Sequence, residues 1–594
     1  MKARLLVLAS LLATAASTKP HIIVILADDL GWNDVSFHGS SQIPTPNIDA
    51  LAYNGVVLNS HYVPALCTPS RASLMTGKYP THTGTQHLVI LGNEPWGLPL
   101  TERLLPEHLK AAGYATHAVG KWHLGFHRSE YTPTRRGFDS HYGYWNGYQD
   151  YYDHSMRDTL VPFKGYDMRR GLRVDWGARG EYSTDLFTRE AVRVIEQHDS
   201  AAGPLFLYLA HLAPHTGNPE EPFQAPDEEV AKFAHIEDPE RRVYAAMVSK
   251  LDQSVGEVMT ALSARGMLNN SVVLFLSDNG APTFGIHSNR GSNFPLRGMK
   301  ESPWEGGVRG VAALWSPLVR SPQRVSQQLV HMSDWLPTLW SAAGQDVREL
   351  GDIDGVDQWA ALLEDRASPR AEVLHNIDPV EDYAALRRGD WKLVEGSTQE
   401  GAVDGWYGES GSDAPRYDVN AVLRSPAGAA IAGLVTKLQI RRKGAQAPRI
   451  LTEAIATALR RSATVHCPLT PEGNATACRP REAPCLFNIR DDPCETANLA
   501  QARPLVLHSL QRSLARFRRT MVKPLNVPGD PGADPALWNG TWVSWKDGDS
   551  DGVATLPPAP THGAPTLHKL VYAAAAALSV VALTASLRRK RKTA

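Results

Sequence analysis

Cysteine is scarce in this 594-residue chain, with five in all, and neither sign of charge prevails: 61 Lys and Arg face 62 Asp and Glu. Balanced charge excludes the broad positive field that would draw nucleic acid or an acidic membrane, so any attraction for anions has to be local. No internal repeat is present, and the length exceeds one ordinary core, so a large α/β domain with a smaller companion accounts for it. Long apolar runs are missing until the C-terminal end. The first run, 5–12, is too short to cross a bilayer. With Met1-Lys2-Ala3-Arg4 before it and Ala15-Ala16-Ser17 after it, it reads as a cleavable signal peptide over 1–17.

Four of the cysteines, Cys467, Cys478, Cys485 and Cys494, crowd into one stretch and suit two disulfides in an oxidising compartment. Four cysteines permit three pairings, and the local one, Cys467 with Cys478 and Cys485 with Cys494, is expected. Cys67 is left over, and counting alone leaves it buried, paired with another chain, or chemically special. Sequons at Asn269, Asn474 and Asn539 agree with a secretory route. Near the end, 570–587 is a stretch of 18 uncharged residues followed by Arg588-Arg589-Lys590-Arg591-Lys592. As a helix it would reach roughly 27 Å, enough for one membrane span with a basic cytoplasmic flank. A lipid-anchor signal fits less well, because such signals end in the apolar tail. Lys590 and Lys592 also have the spacing of a dilysine retrieval signal.

His21-Ile22-Ile23-Val24-Ile25-Leu26 is a continuous apolar run that ends at Asp28-Asp29. Runs of this kind suit a strand buried on both faces of a parallel sheet. Two later runs repeat the design: 205–210 leads to His211 and His215, and 272–276 leads to Ser277-Asp278-Asn279-Gly280. Ligands bind at the carboxyl ends of strands in open α/β sheets, so these ends are expected to converge. Helical spacing over 104–112 and 243–263 fits packing against the sheet. Beyond about 370 the texture changes, with a hairpin expected over 383–394 and an amphipathic helix over 505–517.

The lone cysteine stands in Cys67-Thr68-Pro69-Ser70-Arg71, and a second block reads Gly113-Tyr114-Ala115-Thr116-His117-Ala118-Val119-Gly120-Lys121-Trp122-His123. Together these resemble the two signatures of the sulfatase family. In that family Cys-x-Pro-x-Arg is read by a formylglycine-generating enzyme that oxidises the cysteine to formylglycine. Asp28-Asp29-Leu30-Gly31-Trp32-Asn33-Asp34, Pro295-Leu296-Arg297-Gly298 and Trp304-Glu305-Gly306-Gly307-Val308-Arg309-Gly310 are similar to arylsulfatase B, the N-acetylgalactosamine-4-sulfatase, and to arylsulfatases I and J. The likeness covers most of 20–320 and, more loosely, 375–545. It fails over 398–480, and the loop 90–98 lacks the cysteine pair of the lysosomal enzyme.

What the resemblance implies is an α/β fold of alkaline-phosphatase type, a central mixed sheet flanked by helices with a smaller C-terminal α+β domain. Likeness and sequence texture together divide the chain into a catalytic domain over 18–370 and a smaller domain over 371–526. Composition alone adds a Pro/Gly-rich tether over 527–569, the transmembrane helix over 570–587 and a basic tail over 588–594, and the span is a departure from arylsulfatase B. The catalytic domain would lie in the lumen of the ER or lysosome or at the cell surface. By the same likeness Asp28, Asp29, Asp278 and Asn279, with formylglycine 67, bind one divalent cation, and an all-oxygen, irregular cage suits calcium. Arg71 and Lys121 would hold the formylglycine, and His123 would deprotonate its hydrate. Lys121, His215 and Lys300 would bind substrate, with His215 and Lys300 protonating the leaving oxygen; His211 is a nearby competitor for His215. The reaction implied is attack by one hydroxyl of the formylglycine hydrate on sulfur, giving a covalent sulfo-enzyme. Loss of the proton from the second hydroxyl then expels sulfate. The expected substrate is a sulfated carbohydrate such as N-acetylgalactosamine 4-sulfate, or an aryl sulfate. The alternatives are a phosphate or phosphonate ester hydrolase of the same superfamily, or an inactive membrane-tethered protein that binds sulfated glycans.

Overall fold

The computed structural model describes residues 19–285, 287–411, 414–441, 449–467 and 477–547. The three apolar runs form the centre of a ten-stranded mixed sheet. Its order is Arg324–Ser326, Val56–Leu58, Ala312–Trp315, Ser271–Ser277, His21–Ala27, Leu205–Ala210, Ala115–Lys121, Ser140–Tyr144, Arg169–Arg170 and Arg173–Val174. The His21–Ala27 strand is wholly buried because helices cover both faces of the sheet, which explains why its apolar residues do not alternate with polar ones. It runs parallel to both neighbours, Leu26 opposite Ala210 and Ala27 opposite Ser277. That register brings Asp28, His211 and Asp278 to the same sheet edge.

The helices fall into two groups. Pro46–Asn54, Ser183–Gln197, Pro239–Ala264 and Pro426–Arg441 pack together, and Cys67–Thr76, Leu105–Ala111 and Trp335–Ala342 form the other group. The Pro239–Ala264 helix is capped by Asp238, whose side chain accepts from Glu240 and Arg241 N–H.

A second, four-stranded antiparallel sheet follows in the order Glu372–Asp378, Tyr383–Arg388, Trp391–Glu395, Cys485–Asn488. The middle pair is the expected hairpin. One face packs Leu374, Leu386, Leu393 and Leu486 under Leu510 and Leu514 of the Pro504–Thr520 helix. Val394, Cys485 and Phe487 meet Trp304 of the large unit. Between its third and fourth strands the chain returns to the large core, where Ala427, Ile431, Ala456 and Leu459 are buried. Arg460 donates to Ser36 and Gly39 carbonyls there.

The disulfides are Cys467–Cys494 and Cys478–Cys485, which corrects the local pairing expected from the sequence. The Cys485–Asn488 strand buries Cys485 beside Cys478, while the Cys494 carbonyl accepts from Trp406 Nε1 and its sulfur bonds Cys467 across the intervening turn. Spacing along the chain carries no information about that approach.

Residues 527–547, the first part of the expected tether, are packed down: Trp542 and Trp545 are buried in the large core, and Tyr166 N–H donates to the Gly540 carbonyl at 2.8 Å. The remainder of that tether, the expected signal peptide, the apolar stretch 570–587, the basic tail and Asn474 lie outside the described residues. Among the described residues no helix is long and apolar enough to cross a membrane.

Candidate active site

Cys67 is the first residue of the Cys67–Thr76 helix, entered from extended Leu66, and is 4% exposed. Pro69 is tolerated because the first turn has no N–H partner to lose. Burial pushes the Cys67 thiol above its usual range, against the pull of Lys121 and Lys300. Arg71, one turn on, shares its helix face. Its guanidinium is fully buried and donates to Asp278 Oδ2 at 2.7 Å from Nη2 and 3.1 Å from Nε.

The strand ends supply the acids. Lys121 Nζ donates to Asp28 Oδ2 at 2.6 Å, and Lys300 Nζ lies 2.7 Å from each Asp29 oxygen. Asp29 takes a left-handed φ of 62° and gives its N–H to Asp278 Oδ1 at 3.2 Å. Asn279 Nδ2 donates to Asp29 Oδ1 at 2.6 Å. Two oxygens in this cluster, Asp28 Oδ1 and Asn279 Oδ1, are buried with no hydrogen-bond partner, Asp28 Oδ1 having only the Arg71 guanidinium 3.6 Å away. Burial raises the Asp278 carboxyl, as does Asp28, while Arg71, Lys121 and Lys300 oppose. Burial works against the Lys300 ammonium, but Asp29, Cys67 and Asp28 outweigh it and hold it above the ordinary lysine range. Among the described residues, the His, Cys, Asp and Glu side chains close enough to share one ion are Asp28, Asp29 and His215, their ligand atoms within 4.8 Å of one another. Asp278 is not in that trio, and its Oδ2 is taken by Arg71. The unpartnered oxygens and the acid cluster fit a hard divalent cation.

His123 takes a left-handed φ of 58°, and its Nε2 sits 2.9 Å from the Ile90 carbonyl. A carbonyl only accepts, so Nε2 carries the proton and Nδ1 presents a bare lone pair, buried and unpartnered. Gly147 leaves room for this ring, since a Cβ there would stand 2.7 Å from its Cε1. By the same reasoning His215 Nδ1 donates to the Thr216 carbonyl at 2.7 Å, leaving Nε2 free, 3.5 Å from Asp29 Oδ2. Burial, reinforced by nearby lysines, holds both rings well below the usual histidine range. His211 is elsewhere, its Nε2 2.9 Å from Ser254 Oγ. Every sequence-predicted position therefore meets in one cluster, and of the two histidines after the Leu205–Ala210 strand it is His215 that faces Asp29.

Other neighbours left no trace in the sequence. The Tyr148 ring stacks on His215 at 5.5 Å, and His287 packs 4.5 Å from Tyr148 and 5.2 Å from His215. Asn289 Nδ2 ties the Asp29 and Pro214 carbonyls together at 2.8 and 3.2 Å. Only Tyr208, whose hydroxyl accepts from Arg71 at 3.4 Å, lay on a run already recognised as a strand.

A family model described as Sulfatase matches residues 20–345. Arylsulfatase J of Mus musculus is 38% identical over 534 residues, covering 90% of this chain and 81% of that protein. N-acetylgalactosamine-6-sulfatase of Sus scrofa is 34% identical over 374 residues, 61% of this chain and 69% of that one. Among solved structures, Ps i-CgsB in complex with k-i-k-neocarrahexaose superposes with a TM-score of 0.65 at 26% identity, covering 88% of this chain and 97% of that chain.

Proposed function

The chain belongs to the sulfatase family and is a sulfuric ester hydrolase, and from that premise we propose that it removes sulfate from sulfated carbohydrate, N-acetylgalactosamine 4-sulfate being the first substrate to try. The observation that carries this reading is the meeting of Cys67, Arg71, Lys121, His123, His215 and Lys300 around the strand-end acids. The sugar-directed names of two relatives, an N-acetylgalactosamine-6-sulfatase and a complex with a neocarrahexaose, support the carbohydrate part.

Asp28, Asp29, Asp278 and Asn279 would hold calcium, which when bound neutralises anionic oxygen and acidifies a hydroxyl beside it. Cys67, oxidised to formylglycine by a formylglycine-generating enzyme, would supply as its hydrate both the nucleophilic hydroxyl and the second hydroxyl whose ionisation releases sulfate from the sulfo-enzyme. The chain's own groups do the rest. Arg71 and Lys121 bring fixed positive charge beside position 67, where negative charge accumulates during attack. His123 offers its bare Nδ1 as the base for the second hydroxyl, a role its downward-shifted pKa suits because the ring rests neutral. Lys300 Nζ stands on the Asp29 side, where its ammonium binds the sulfate and delivers a proton to the departing oxygen. His215 Nε2 beside it rests unprotonated and shares that role once the bound sulfate's negative charge favours its protonated form. The walls are buried, which keeps these charges strong.

The two disulfides and the exposed sequon residues Asn269 and Asn539 support a secretory-pathway protein. The apolar stretch 570–587 with its basic flank supports a C-terminal membrane attachment.

The test is mass spectrometry of the tryptic peptide containing Cys67 after expression in cells that carry the maturation enzyme, together with turnover of an aryl sulfate against an aryl phosphate. Conversion to the aldehyde with sulfate preference is expected; thiol alone, or phosphate preference, rejects the reading. Cys67→Ser is expected to lose multiple turnover while keeping its thermal midpoint, because a single hydroxyl cannot expel sulfate in this way.

A further inference from the structure

Glu301 follows Lys300 directly, yet it takes no part in the ion pairs that neutralise the site. Its backbone is left-handed, with φ 73°, a conformation that glycine adopts without strain and a side chain does not. Its N–H donates to the Ala65 carbonyl at 2.9 Å, two residues before Cys67. The side chain is half-buried, whereas Lys300 is buried. Burial raises its carboxyl above the usual range, with Asp29 and Glu381 adding to the rise, while Lys300 and the Gln399 hydrogen bond oppose it.

One carboxylate oxygen, Oε2, accepts from Gln399 Nε2, and no described residue donates to Oε1. Gln399 is itself left-handed, with φ 47°, as is Glu400 after it, with φ 55°. Both ends of this hydrogen bond therefore stand on backbone that a glycine would relax. A neutral amide orients the carboxylate without cancelling its charge. Strain retained at both ends, and an acceptor oxygen left open beside the group proposed to serve the leaving oxygen, have no account in packing.

We propose that Glu301 is a specificity residue that accepts a hydrogen bond from a hydroxyl or amide N–H next to the scissile ester, and so favours carbohydrate sulfates over aryl sulfates. The inference rests on the sulfatase reading above. In a sugar sulfate esterified at a ring carbon, such as N-acetylgalactosamine 4-sulfate, a neighbouring carbon carries a hydroxyl or an acylamino group; in a simple aryl sulfate it carries only C–H. A site with an oriented acceptor discriminates strongly against the ligand that leaves it unpaired.

The experiment uses the mature full-length enzyme with 4-nitrophenyl sulfate and a panel of monosulfated N-acetylgalactosamine and galactose monosaccharides, taking forward the sugar that the unmutated enzyme cleaves best. For Glu301→Gly, which removes the carboxylate and relaxes the backbone, the ratio of kcat/KM on that sugar to kcat/KM on the aryl sulfate is expected to fall about tenfold or more, chiefly through KM. Gln399→Ala keeps the charge but frees the side chain, and about a threefold fall in the same ratio is expected. Equal losses on both substrates in Glu301→Gly, or a ratio that falls less than tenfold, would overturn the proposal. Aryl sulfate turnover by the unmutated enzyme with no sugar cleaved also overturns it, while leaving the sulfatase reading intact. No turnover of either substrate would instead defeat that reading.

Discussion

At the scale of single residues, the clearest unfinished business is the pair of unpartnered oxygens on Asp28 and Asn279. Burying a polar oxygen without a partner costs free energy, and a cation between them removes that cost. Calcium is therefore expected to raise the thermal midpoint of the purified protein by a few degrees at saturating concentration, and EGTA to reverse it, since a ligand held only by the folded state stabilises by mass action. Asn279→Ala is expected to abolish most of the calcium response. Differential scanning fluorimetry reads this without any assay of activity; a midpoint indifferent to calcium in the unmutated protein would remove the metal assignment. The acids were legible in the sequence because each ends an apolar run, so the strand and its ligand-bearing terminus are read together. Tyr148, His287 and Asn289 were not, because each lies in a loop whose approach to His215 or Asp29 depends on the path of the chain through space.

Elements are joined at a second buried cluster. Lys392, on the Trp391–Glu395 strand of the small sheet, has its Nζ 2.9 Å from Glu305 Oε1 and 2.9 Å from Glu495 Oε1, and all three side chains are inaccessible. Glu495 Oε2 accepts Glu305 N–H at 2.8 Å. Burial pushes Glu495 up to about 7, with Lys392 opposing and Glu305 adding to the rise. One ammonium thus serves two acids from different elements, and Glu305 opens the short helix Glu305–Val308 that follows the Lys300 turn. Removing the ammonium leaves two buried carboxylates facing each other, with Arg309 Nη1, 3.6 Å from Glu305 Oε2, as a weaker substitute. Lys392→Met is expected to cost about 3–5 kcal/mol in urea unfolding, and Lys392→Met with Glu305→Gln to recover part of it. A single variant within about 1 kcal/mol of the unmutated protein would show that the cluster contributes little. The strands meeting here were readable from hairpin chemistry at Gly389-Asp390. The pairing of Lys392 with Glu305 and Glu495 was not, since periodicity fixes which face a residue takes and says nothing of which distant acid it meets.

For the molecule as a whole, the question is how the two sheets stay seated. His61 and His331 lie on the paired strands His61–Tyr62 and Val330–His331, and His375 lies on Glu372–Asp378 of the small sheet, its ring 5.0 Å from that of Tyr62. All three are buried, and neither ring nitrogen of His375 has a partner. Around them stand Arg370 with Asp334, Arg387, Lys392 and Glu305, and the hydroxyls of Tyr62 and Tyr79. The division of the chain among these layers was only partly legible. The run of helices 419–463 carries apolar spacing that suits either core, and it takes the large one because Asn47 and the Ser36 and Gly39 carbonyls supply its hydrogen-bond partners.

Burial lowers His61 to about 3 and, with Lys392 and Arg387 adding to it at His375 and Arg370 at His331, holds those two well below 6.5. A histidine depressed in the folded state is neutral on both sides of the equilibrium at pH 7.5. As pH falls below about 6.5 the unfolded chain takes up the proton first, so the stability present at neutral pH drains away toward about pH 3. Each such group contributes up to about 1.4 kcal/mol per pH unit in that window. The urea midpoint is therefore expected to fall steeply between pH 7 and 5, and His375→Phe, which keeps the ring and cannot be protonated, to flatten that fall. If the variant loses midpoint with acid as fast as the unmutated protein, His375 is not what couples the seating of the sheets to pH.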